Sequence, residues 1–179
     1  MAVLKILESK SEIDQTRIAL IGHSYGGFIA AHLSIQYPSL YKAIALSNPI
    51  VNLASMASTS SMPDWVWQML GKNYTHSSVA TEIYLDAWNR YPLYLLIKIE
   101  KVAKYILFHH KALTIVPNFF LNRSPLSQVD SLLAATLIFV GAKDQKVLPE
   151  TQGIALHRDL SSRFIPTELY HYPGKWLKS

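Results

Sequence analysis

Short apolar runs alternate with segments of helical spacing along this chain. Arg17-Ile18-Ala19-Leu20-Ile21 is an apolar run with two β-branched isoleucines, which predicts a strand buried on both faces. Gly22 ends it, and Gly26-Gly27 open a helical segment through Phe28, Ala31, His32 and Ile35. That helix is expected to stop at Tyr37-Pro38, because proline disfavours helical geometry in the residue before it. Lys42 to Leu46 is the next strand, so the first part of the chain reads as a βαβ unit.

Further along, Asn48 to Thr59 is polar and reads as turn-rich. Met62-Pro63-Asp64-Trp65 predicts a helix start, with Trp65 and Trp67 packing inward. Val79 to Trp88 also has helical spacing, and Ser124 is positioned to cap a short helix at Pro125-Leu126. Thr136 to Val140 is a third buried-type strand, followed by the turn Gly141-Ala142-Lys143-Asp144. Thr151 to Leu160 reads as a helix and Thr167 to Tyr172 as a fourth strand. This alternation predicts a doubly wound, mostly parallel α/β sheet.

Composition narrows the class. Half of the 179 residues are apolar and 16% are charged, which describes a globular chain. With no cysteine there is no disulfide framework and no thiolate metal site, which fits a cytoplasmic setting. Met1 to Ser9 is too short and too charged for a signal peptide and reads as the tail of an amphipathic helix. The most apolar window, Tyr91 to Phe120, contains four lysines and a glutamate, so no membrane span is expected. The net charge of +5 resides mainly in residues 91–123, which carry Lys98, Lys101, Lys104, Lys111 and Arg123 against Glu100. The remainder shows no phosphate-binding stripe, so no nucleic-acid partner is expected.

The chemistry centres on Gly22-His23-Ser24-Tyr25-Gly26, a G-x-S-x-G pattern between a strand and a helix. There a serine occupies a strained turn with Oγ above the sheet, and the next amide, that of Tyr25, can donate to an oxyanion. Ser24 is therefore the expected nucleophile. Its partners should follow in the chain order Ser, Asp, His. Asp144, after the third strand at the C-terminal edge of the sheet, fits the carboxylate.

The stretches Ile18 to Gly27, Asn48 to Met56, Pro63-Asp64-Trp65, Ser124-Pro125-Leu126 and Gly141 to Val147 together resemble the acylaminoacyl peptidase branch of the prolyl oligopeptidase family. The resemblance implies part of an α/β-hydrolase catalytic domain, lacking that family's β-propeller, its first sheet strands and its upstream oxyanion donor. It implies release of an N-acyl amino acid from short N-acylated peptides, with Ser24 and Asp144 as catalytic residues, the Tyr25 amide in the oxyanion hole, and neither metal nor organic cofactor. The family's histidine follows the Tyr-Pro after the last strand. Aligned on Tyr172-Pro173, that position falls near Leu177, so the catalytic histidine is expected to be absent. His171 lies six residues early, His23 adjoins Ser24 but points away, His32 lies on the following helix, and His76, His109, His110 and His157 have no motif support.

Asn89-Arg90 recurs as Asn122-Arg123, and deleting 91–123 joins Arg90 to Ser124 in the family's local pattern. Residues 91–123 are therefore expected to be an insertion, with a retained intron as its source and Lys175 onward read through into another. The alternative is a genuine insertion forming an amphipathic helix around Tyr94 to Leu107. At the functional level the alternatives are an inactive, truncated fragment and a carboxylesterase or lipase on the same fold.

Overall fold

The computed structural model describes residues 9–69, 71, 74, 120 and 123–174. The predicted helix at Val79 to Trp88, the helix tail before Ser9, the aligned position Leu177 and nearly all of 91–123 lie outside the described residues.

Four strands form one parallel sheet in the order β1 (Ile18–His23), β2 (Tyr41–Ser47), β3 (Ala135–Gly141) and β4 (Thr167–Tyr172). Helix α1 (Tyr25–Gln36) connects β1 to β2, and α4 (Gly153–Ser162) connects β3 to β4. Helices α1 and α4 contribute to one apolar cluster, so both lie on one face of the sheet, as crossovers of the same hand in the same direction require. They close over Ile44, Leu46, Ile138 and Val140, together with Ala30, Ala31, Leu156 and Leu160. Small residues on the buried side of α1 (Gly27, Ala30, Ala31 and Ser34) let it approach the strands. The parallel α/β sheet expected from the sequence is the one observed, with the described helices α1 and α4 on one of its faces.

Three expectations change. β1 is buried on one face only: Leu20 packs against the core, whereas Ile21 is 87% exposed. The reason is that α1 and α4 cover the same side, and no described helix covers the other. The Asn48 to Thr59 stretch contains a helix, α2 (Leu53–Thr59), whose first turn is capped by the Asn52 side chain accepting from the Ser55 amide. With α3 (Pro63–Met69) it builds a second apolar cluster of Leu53, Met56, Val66, Trp67, Phe120 and Val147 beyond the strand ends. Trp67 is buried as expected, and Trp65 is half-buried against the same cluster. Finally, Ser124 caps nothing with its side chain. Its buried hydroxyl instead donates to the Phe120 carbonyl (2.7 Å) and accepts from the Leu53 amide (3.0 Å). The helix it precedes, Pro125–Ser131, is of 3-10 type.

Candidate active site

Three loops at the C-terminal edge of the sheet build the candidate site. In parallel α/β sheets that edge is where loops can converge on a ligand.

The first loop is a single residue. β1 ends at His23, α1 begins at Tyr25, and Ser24 between them has φ 53° and ψ −116°. A non-glycine residue held there costs on the order of 1–3 kcal/mol. Backbone contacts hold the corner in place. A Cβ on Gly22 would sit 2.2 Å from the Gly26 carbonyl oxygen, so strand and helix meet at a distance only glycine permits. The Ser24 amide donates to the Ser47 carbonyl (2.9 Å), and the Ser24 carbonyl accepts from the amides of Gly27 (3.0 Å) and Ile50 (3.2 Å). The Ser24 hydroxyl has no hydrogen-bond partner among the described residues. Tyr25, as first residue of α1, presents one of the amides that a helix start leaves without an intrahelical acceptor. Its ring stacks on Phe28 (5.5 Å between centroids) and meets Trp65 edge-on (5.7 Å).

Asp144 lies in the loop after β3. Its Oδ1 accepts from the amides of Lys146 (2.8 Å) and Val147 (2.9 Å), and its Oδ2 from the side-chain amide of Asn48 (2.5 Å). Asn48 is the residue sequence reasoning missed. It follows β2 in a left-handed conformation (φ 39°), is 2% exposed, and accepts the Gly141 amide on its own Oδ1 (2.9 Å). The signal for it was the Asn-Pro after a strand, which marks a turn but not a partner 96 residues away. Gln152 was missed as well. Buried at the start of α4, it accepts the amides of Val51 and Asn52 on Oε1 (2.8 Å each) and donates to the Asn52 carbonyl (2.8 Å).

Ser24 and Asp144 thus follow strands β1 and β3, with β2 between them. Two strand spacings are about 10 Å, a gap that an imidazole can bridge and a direct hydrogen bond cannot. No histidine among the described residues hydrogen-bonds to either. His23 Nδ1 lies 3.1 Å from Ser47 Oγ, and His32 Nε2 lies 3.0 Å from the Arg123 carbonyl. His171 is exposed on β4 in register with Val140, and His157 lies within α4. A cleft of about 550 Å³ opens beside Asp144, lined by Ser60, Ser61, Lys143, Gln145 and Glu150. Among the described residues no group of three His, Asp or Glu side chains is arranged to hold a metal ion, and no helix is long and apolar enough to cross a membrane.

The chain is 29% identical over 172 residues to the acylamino-acid-releasing enzyme of Rattus norvegicus, and 28% identical over 172 residues to that of Homo sapiens. Each match covers 96% of this chain but 19% of the relative, so the chain spans about a fifth of the length of these proteins. Among solved structures, an acylaminoacyl peptidase of Pyrococcus horikoshii superposes with a TM-score of 0.64 at 15% identity, over 95% of this chain and 21% of that one. A puromycin-hydrolyzing peptidase of Mycobacterium tuberculosis gives 0.65 at 19% identity, over 97% and 20%. At those identities the likeness is one of fold, the α/β-hydrolase type. Residues 1–110 match the model of the prolyl oligopeptidase family, and the chain belongs to that family of serine peptidases.

Proposed function

We propose that Ser24 is the nucleophile of a serine hydrolase site that releases an N-acyl amino acid from short N-acylated peptides. The observation carrying this is the Ser24 corner itself, a strained residue at the C-terminal edge of a parallel sheet, directly before a helix. In the family mechanism, Ser24 Oγ attacks the scissile carbonyl carbon as its proton passes to a histidine base, a role that no described histidine is hydrogen-bonded to fill. The oxyanion that forms takes the Tyr25 amide, and the amine leaves with the proton. Water then attacks the acyl-enzyme in the reverse sense and frees the serine. Asp144 fixes the tautomer of the base and stabilises it once charged. The names of the relatives, acylamino-acid-releasing enzymes, support the substrate class. The absence of cysteine fits a cytoplasmic setting.

The placement of the histidines favours a second reading, in which this chain is catalytically silent. The position where the family resemblance calls for the base falls near Leu177, and the hydrogen bonds of His23 and His32 go to Ser47 and to the Arg123 carbonyl. The two readings part on one experiment. The full chain is treated with a fluorophosphonate, and the modified peptide is identified by mass spectrometry. Labelling at Ser24 supports the hydrolase reading; an unmodified Ser24 supports the silent one. Turnover of an N-acetyl-alanyl anilide then separates the peptidase from a carboxylesterase, which would hydrolyse a p-nitrophenyl ester alone. We further propose that residues 91–123 are an insertion derived from a retained intron. Transcripts lacking that segment support this, and relatives coding for it contradict it.

A further inference from the structure

We infer that Asn48 is the positioning residue for Asp144, holding the carboxylate so that one lone pair of Oδ2 remains for the base. The inference rests on the reading of Asp144 as the orienting acid. A carboxylate offers about four lone-pair sites. Two on Oδ1 are taken by the Lys146 and Val147 amides, and one on Oδ2 by the Asn48 side chain. What is left is a single acceptor site on Oδ2, with its direction set by Asn48.

Asn48 is itself unable to turn. Its Oδ1 accepts the Gly141 amide, so a flipped amide would bring its NH2 against an N–H and its oxygen against a carboxylate. Its backbone amide donates to the Phe139 carbonyl (2.8 Å). Its left-handed φ is one that asparagine tolerates better than most residues. The same short loop grips the nucleophile, because the Ser47 carbonyl and the Ile50 amide pair with the two peptide groups of Ser24. Residues 47–50 are therefore a strut between the two halves of the site. β2 sets their separation, and the Asn48 side chain sets the orientation of the acid.

Asparagine suits this task where aspartate would not. An aspartate would still accept from Gly141, but it would face Asp144 with a like charge unless the two carboxyls shared a proton. Two variants use that difference, with the fluorophosphonate labelling rate of the full chain as readout. Asn48→Gly keeps the left-handed backbone accessible and drops the side chain. It is expected to label Ser24 roughly tenfold more slowly, the loss of one charge-assisted hydrogen bond. Asn48→Asp is expected to label slowly at neutral pH and to recover toward the parent rate as pH falls, when a shared proton restores the donor. A wild-type rate in Asn48→Gly overturns the inference, and so does an Asn48→Asp deficit that does not vary with pH. A stability role alone would give the latter.

The side-chain amide resonances of Asn48 in the unsubstituted protein provide a measurement independent of labelling. Asp144→Ala should shift one of the two protons upfield and speed its exchange, while Ser24→Ala leaves both in place. Unmoved resonances in Asp144→Ala overturn the inference even if Ser24 labels. If the resonances respond and Ser24 does not label, the tie to Asp144 stands and the hydrolase reading falls.

Discussion

Ser24 and Asp144 lie at the same edge of one sheet, but different forces hold them. Ser24 is shaped by its own neighbourhood, Gly22 against Gly26 with a strand ending and a helix starting within two residues, and is then gripped by Ser47 and Ile50 through backbone bonds. Asp144 lies in a turn whose backbone supplies two amides, and its third partner comes from another strand loop. The shape of the nucleophile corner is thus mainly a matter of sterics and local chain geometry. The acid adds to its two turn amides a hydrogen bond, from Asn48, that exists only once β2 and β3 are side by side.

The largest expected effect tests the steric half. Gly22→Ala would bring a Cβ within 2.7 Å of three backbone atoms of Gly26 and Gly27, so the corner must open. We expect a loss of about 3–5 kcal/mol, or failure to fold, in urea denaturation. Gly26→Ala, whose Cβ would meet nothing within 4 Å, should stay within about 1 kcal/mol of the parent. Equal effects would mean that the corner is not sterically held.

Next comes the hydrogen-bonded half. Gln152→Leu leaves the Val51 and Asn52 amides buried without their acceptor, so a loss of about 3 kcal/mol is expected in the same assay. A loss below about 1 kcal/mol would show that the strut beyond Asn48 is held by other means.

A smaller effect of opposite sign belongs to the nucleophile. Ser24→Gly relieves the positive φ and should stabilise the fold by about 1 kcal/mol, while Ser24→Ala keeps the strain and should be close to neutral. Both variants should lose fluorophosphonate labelling. A destabilised Ser24→Gly would place the strain elsewhere.

The smallest effect compares Asp144 with Asp14, another turn aspartate that accepts an amide two residues on. Asp14 is exposed, and its carboxyl is held below the ordinary value first by the Thr16 hydroxyl and then by Arg17. Because the folded value is depressed, its contribution to stability is present above the unfolded value and fades as pH falls through the folded one. In a carboxyl NMR titration, Thr16→Ala should raise the Asp14 midpoint more than Arg17→Gln does. The reverse order would make the ion pair the main cause.

Legibility followed the same division. β1, β2, β3 and β4 were each expected within one or two residues of their observed limits, since apolar runs bounded by Gly, Pro and polar breaks are local signals. Helix α2 was missed although Asn52 and Ser55 carry a capping signal. Its polar residues suggested turns, and its apolar ones became a buried face only with Trp67, Phe120 and Val147 packed beside them. Ser124 looked like a cap because of the proline after it, but its hydroxyl serves Phe120 and Leu53 instead.

By itself, then, the sequence determined the α/β order of elements and the Ser24 corner, because both depend on residues within a few positions of one another. Only the tertiary structure decided that β1 is covered on one face, that Asn48 ties the loop after β2 to the Asp144 loop, and that Gln152 ties the start of α4 to Val51 and Asn52. Those ties join residues 96 and 100 or more positions apart. Buried amides must find partners wherever the fold brings them, and no local pattern states in advance which ones those will be.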